Sequence, residues 1–230
     1  MGFFIVVVIV AATVFTACSQ CSVNGRNNNN GVVVLTSFRD IPGITNEDIE
    51  AIEALQRSRT SFVYGANYST EAFSGEDGVV RGFTALFCEW LTQLFEIPFI
   101  PQIFEWDELV EGLENHSIDF SGELTANEER RKKYFMTDDI VQRRIIYVRL
   151  DNTHTLSEIS QTRPLRLAFL DGTTTIDDVR GHKTKDFEVF LVDDYPEAYE
   201  LLRSGAIDAF FDESPAEAAF DVYGKVFVNT

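Results

Sequence analysis

From residue 61 onward the chain alternates between two hydrophobic patterns, and this alternation limits the possible folds more than any other feature. Short runs rich in β-branched and aromatic residues read as strands: "SFVYGAN", "FIPQIFEW", "IDFSGEL", "DIVQRRIIYVRL", "LRLAFLDG", "FEVFLV" and "AIDAFF". Between them, "GFTALFCEWLTQLFEI", "WDELVEGLENHS" and "YPEAYELLRSG" carry the spacing of amphipathic helices. The first helix is predicted to gather Leu86, Phe87, Trp90, Leu91, Leu94 and Phe95 on one side. The strand "LRLAFLDG" places Leu165, Leu167 and Phe169 on one face. Such an order predicts an α/β architecture with mainly parallel sheet.

One segment echoes another. "LVEGLENHSIDFSGELT" and "AYELLRSGAIDAFFDES" both run from an amphipathic helix through a turn of small residues to Ile-Asp, an apolar strand and polar residues. Any strand–helix–strand unit has this outline. The sharper reading is two similar α/β lobes whose polar strand ends face each other. Ligands of open α/β sheets sit at the carboxyl ends of strands, which singles out "GELTANEER" and "DESP".

Upstream lies a different kind of chain. Residues 1–18, "MGFFIVVVIVAATVFTAC", have no charged side chain and read as a signal peptide or membrane anchor. "FTAC" matches a lipobox only in part, because Phe15 stands where a smaller aliphatic residue is usual. Residues 19–60 are predicted to be a polar linker, a short strand and a helix. There, Thr45 and Asp48 form a capping-box pattern ahead of Ile49, Ile52 and Leu55. A net charge of −18 repels phosphate and excludes nucleic acid as a partner. The three cysteines, Cys18, Cys21 and Cys88, form no disulfide framework, and the three histidines lack metal-ligand spacing. No metal or cofactor is expected.

Five pieces of the sequence, in order, resemble the family 3 solute-binding proteins, two-lobed extracytoplasmic receptors for amino acids and related small molecules. They are "GVVRGFTALFCEWLTQLF", "FEWDELVEGLENHSIDF", "LTANEERRKKYFMTDDI", "LAFLDGTTT" and "IDAFFDESP". Asn127, Asp139 and Ile140 depart from the family's pattern. The resemblance implies a type II periplasmic-binding-protein fold, with residues 61–145 as the first lobe and 146–230 as the second. The second lobe and the return to the first are expected to be incomplete.

The resemblance also implies a site. The Arg of the family's Glu-Arg pair, here Arg130, would hold a ligand carboxylate with help from the Thr125 hydroxyl; the alternative is a structural ion pair. A planar guanidinium can give two N–H groups to two carboxylate oxygens, at about 1.5–3 kcal/mol for each charge-assisted bond. Arg131, Lys132 and Lys133 would then be a solvated face. Trp106 would stack on the ligand or begin a helix as a core residue. Thr173 and Thr174 would offer N–H groups at a helix N-terminus. Glu213 stands where the family's Asp takes an α-amino group. Tyr68 and Phe73 would be aromatic walls, with core or surface roles equally open.

The implied function is binding of an amino acid or similar small carboxylate outside the cytoplasm. The N-terminal segment and the extension before residue 61 favour the ligand-sensing domain of a membrane signalling protein, with a cytoplasmic output domain. The substrate-binding component of an ABC transporter, working with a permease, is the alternative. Enzymes on the solute-binding fold, dehydratases or lyases, would need Glu123 or Glu213 as acid or base. Phosphotransfer through "AFLDGTTT" is excluded, since Phe169 replaces the nucleophilic aspartate.

Overall fold

Two separate sheets, each drawn from one stretch of the chain, organise the molecule. The structure is a computed structural model describing residues 26–27, 33–151, 153–182, 186–223 and 226–229. The apolar segment 1–18, Cys18, Cys21 and much of the predicted linker lie outside the described residues. Among the described residues no helix is long and apolar enough to cross a membrane.

The first sheet is wholly parallel. Its centre is β1 (Phe62–Asn67), flanked by β2 (Phe99–Phe104) and β3 (Phe120–Ser121). Helices α2 (Phe83–Phe95) and α3 (Trp106–Asn115) connect these strands. Phe62, Phe99 and Phe120 pack as a cluster between them. In α2 the buried residues are Thr84, Cys88, Leu91, Leu94 and Phe95, whereas Leu86 is 67% exposed. The expected stripe is therefore rotated, and Leu86 does not belong to it.

The extension before this sheet is part of its core. Helix α1 (Asn46–Ser58) starts with the predicted capping box between Thr45 and Asp48. Ile49, Ile52 and Leu55 pack against a cluster that includes Phe38, Ile41, Leu91 and Phe95. Gln56 Nε2 donates to the Phe95 carbonyl at 2.8 Å.

The second sheet is mixed, not mainly parallel. Its order is β6 (Phe187–Val192), β5 (Leu165–Leu170), β7 (Ala209–Glu213), β4 (Ile145–Leu150) and β8 (Val226–Asn229). The pairs β6–β5 and β5–β7 are parallel, and β4 runs antiparallel to both β7 and β8. Helices α5 (Thr175–His182) and α6 (Tyr195–Ser204) connect the parallel strands; between β3 and β4 lies α4 (Glu128–Lys133). Leu165, Leu167 and Phe169 do share one face and one core cluster.

The predicted strand from Asp139 begins only at Ile145, and residues 139–144 are irregular chain passing from one sheet to the other. The strand predicted in "IDFSGEL" is reduced to Phe120–Ser121.

The echoed Ile-Asp pairs do the same job twice. Each follows a helix closed by a residue in the left-handed region, His116 at φ 65° and Gly205 at φ 72°. Ile118 and Ile207 are buried at 2% and 3% exposure. The Asp119 carboxylate accepts from the Val63 N–H at 2.9 Å, and the Asp208 carboxylate from the Arg166 N–H at 2.9 Å. Both aspartates thus satisfy an amide at the start of the central parallel strand, where the ladder has no other acceptor to offer.

Candidate functional site

The carboxyl ends of strands from both sheets converge on one cleft. Asn67 ends β1, Glu123 follows β3, Leu170 ends β5, and Asp212 and Glu213 end β7. Trp106, Thr125, Arg130, Arg143, Thr173 and Thr174 also line the cleft. The space left between these side chains is about 50 Å³. This is where the carboxyl-end rule places a ligand. Six of the eight sequence-predicted residues meet here. Tyr68 and Phe73 do not line the cleft and are 38% and 37% exposed.

Arg130 is separated from its three basic neighbours by the geometry of α4. Asn127 caps that helix, its side chain accepting from the Arg130 N–H at 2.8 Å. The Arg130 side chain turns into the cleft, where Nη1 donates to the Thr125 carbonyl and Nη2 to the Gly172 carbonyl, both at 2.8 Å. The group of Thr125 that Arg130 holds is its backbone carbonyl. Among the described residues no carboxylate makes an ion pair with Arg130. Burial lowers its pKa from the ordinary value, a sign of a cation short of counter-charge. Arg131, Lys132 and Lys133 are exposed, the two lysines pairing with Glu129 and Glu114.

Two bonds from the first lobe close on the same turn of the second. Trp106, only 8% exposed at the start of α3, donates its indole N–H to the Asp171 carbonyl at 2.6 Å. The Arg130 bond to Gly172 is the other. That turn depends on Gly172, whose φ of +74° favours a residue without Cβ. Beyond it, the Thr173 N–H and hydroxyl are both spent on the Leu170 carbonyl, so the Thr173 amide is not a free donor as expected.

The main feature missed by sequence reasoning is Arg143, from the irregular segment between the sheets. Its Nη2 donates to Glu71 at 2.6 Å, with Nε reaching both Glu71 oxygens at 3.2 and 3.3 Å. Its Nη1 donates to Glu123 and to Glu213, each at 3.0 Å. Burial disfavours the charge, but the bonds to Glu71 and Glu213 and the field of Glu123 outweigh it and hold the Arg143 pKa above its usual value. Glu123 shifts upward because burial exceeds the effect of Arg143. Gly82 lets Glu71 approach: a Cβ there would fall 2.3 Å from the Glu71 carbonyl oxygen. The one signal in the sequence was a pair of arginines inside an apparent strand, with no predicted partner.

Asp212 stands behind this cluster. Its Oδ1 accepts from the Glu213 N–H at 2.7 Å, while Oδ2 is buried without a hydrogen-bond partner. The Tyr195 hydroxyl interacts with the Asp212 carboxyl and lowers its pKa, an effect that burial outweighs. Burial pushes the Asp212 carboxyl up to about 7. Among the described residues no group of histidine, cysteine and acidic side chains is placed to hold a metal ion.

One parallel and one mixed sheet, with a cleft at the carboxyl ends of strands from both, define a two-lobed binding protein of the periplasmic type. Residues 62–213 match the bacterial extracellular solute-binding proteins, family 3, and the chain belongs to that family. It is 27% identical over 144 residues to the L-cystine-binding protein TcyJ of Escherichia coli K12, covering 62% of this chain and 54% of that one. The chain thus spans about half the length of the curated relatives it matches. Among solved structures it is similar to an ancestral arginine-binding protein bound to glutamine, with a TM-score of 0.60, 19% identity, and coverage of 74% of this chain and 78% of that one. An amino acid ABC transporter substrate-binding protein from Streptococcus pneumoniae bound to L-arginine gives a TM-score of 0.59 at 17% identity, covering 78% and 77% of the two chains. At such identities these structures speak to the fold.

Proposed function

We propose that the chain binds an amino acid or similar small carboxylate outside the cytoplasm, without chemistry, as the ligand-sensing domain of a membrane signalling protein. The observation that carries this reading is Arg130: a half-buried guanidinium in the cleft, held by two carbonyls from opposite lobes and lacking a carboxylate. A ligand carboxylate supplies the missing charge, and contact with both lobes couples binding to closure. Trp106, Thr125, Thr173, Thr174 and Glu213 then surround the ligand. The space of about 50 Å³ is less than an amino acid fills, so the lobes separate or side chains move on binding. Glu123 and Glu213, the acid–base candidates named from the sequence, are both engaged by Arg143, which argues against catalysis through them.

The extension packed into the first lobe supports the sensor reading, because it ties the lobe to whatever precedes it. The likeness to a transporter component supports the second reading, delivery to an ABC permease. A thermal-shift screen of the twenty amino acids and small carboxylates tests the shared core. Ligand at about 100 times its Kd stabilises by about 2.7 kcal/mol. A shift for one ligand class that disappears in Arg130→Ala is expected; no shift from a cooperatively folded protein refutes the reading. Ligand-stimulated ATP hydrolysis by a co-reconstituted permease would select the transporter role.

A further inference from the structure

Arg143 sits among acids in a way that exceeds the needs of a structural ion pair. Three carboxylates, Glu71, Glu123 and Glu213, surround one guanidinium, which leaves an excess of two negative charges when all are ionised. The buried Asp212, 9% exposed, lies beside them and adds a fourth carboxyl group. Four carboxyl groups at one cleft, all at least partly withdrawn from solvent, call for more positive charge than Arg143 supplies.

The arms of Arg143 also differ. Its grip on Glu71 uses Nε and Nη2, with contacts down to 2.6 Å, whereas Glu213 receives only one N–H of Nη1, at 3.0 Å. The Glu213 side chain is 28% exposed, against 19% for Glu71 and 11% for Glu123. Arg143 comes from irregular chain, so the guanidinium can shift without breaking a strand.

We propose that Glu71, Glu123 and Glu213 form a cation subsite which the protein's own Arg143 occupies, so that a ligand's guanidinium or ammonium group competes with Arg143 for Glu213. Arg143 is thereby a specificity-determining residue: it masks the cleft's preference for cationic ligands and holds Glu213 against the first lobe. The inference rests on the cleft being the ligand site, and it adds which end of the ligand meets internal competition.

The test uses the full chain with methylguanidinium chloride as probe and sodium chloride as the ionic-strength control. In Arg143→Ala, millimolar methylguanidinium should raise the melting temperature saturably, and the wild type should not respond. Adding Glu213→Gln should abolish the response, while adding Arg130→Ala should leave it intact. The ratio of L-arginine to L-glutamine affinity should rise at least about tenfold in Arg143→Ala, the scale of one charge-assisted bond regained. A folded Arg143→Ala that responds to methylguanidinium no more than to sodium chloride overturns the proposal. Should the alanine variant not fold, Arg143→Lys is read instead: its shorter ammonium stays with Glu71 and frees Glu213, and an absent response there overturns the proposal equally. A methylguanidinium response in a protein that no carboxylate ligand stabilises would uphold the cation subsite while refuting the carboxylate-binding reading.

Discussion

Asp212 offers the most direct measure of the electrostatics in the cleft. Burial raises its carboxyl from the ordinary 3.8 to about 7. Between those values the native state holds a proton that the unfolded chain has released, so stability falls as pH rises across that window. A shift of about three units at 1.36 kcal/mol each amounts to about 4 kcal/mol of destabilisation, fully present above pH 7. Asp212→Asn removes the ionisation yet keeps an oxygen for the Glu213 N–H. At pH 8 the variant should therefore be more stable than the wild type by about 4 kcal/mol, or roughly 10 °C in melting temperature. The advantage should shrink to about 2 kcal/mol at pH 5 and vanish below the unfolded pKa. Urea titrations of both proteins at pH 5, 6, 7 and 8 measure the difference, in which all other titrating groups cancel. An advantage of the same size at every pH would refute the reasoning, since it would owe nothing to protonation.

The two echoed aspartates should differ in cost when removed. Asp208→Ala loses the Arg166 amide and the paired bonds to Arg163 at 2.7 Å, and urea unfolding should show a loss of about 3 kcal/mol. Asp119→Ala loses one amide bond and a 3.8 Å contact with Arg59, so about 1–2 kcal/mol is expected from the same titration. Gly172→Ala should cost about 1–2 kcal/mol in thermal unfolding through its left-handed backbone alone, because the nearest heavy atom to the added Cβ is Trp106 Nε1 at 3.9 Å. Trp106→Phe removes the 2.6 Å bond to Asp171; closure should weaken by about 1 kcal/mol, seen as a larger radius of gyration in solution scattering.

Much of this molecule is legible because its signals are local. The Thr45–Asp48 box, the helix α6 ending at Gly205 and the alternation in Leu165–Leu170 each depend on residues within one or two turns. The Ile-Asp echo was visible as a pattern, although its purpose, capping a neighbouring strand, was not. Arg130 could be singled out from a run of four cations through the ordered motifs around it. The error over Leu86 has a similar origin: a helix with apolar residues on most of its surface does not say which stripe the sheet will cover.

The sequence by itself determined the order of strands and helices, the helix ends and the strand termini that carry polar groups. All of these follow from hydrophobic period and from backbone hydrogen-bonding needs within short spans. Only the tertiary structure decided the cluster around Arg143, whose partners Glu71, Glu123 and Glu213 lie 72, 20 and 70 positions away along the chain. Continuity with the apolar run from Ile145 made residues 139–144 look like the start of a strand. They leave the sheet where Arg143 finds three partly buried carboxylates near the convergence of strand ends. Coulomb attraction in a low-dielectric cleft depends on separation in space, and no local pattern encodes that distance.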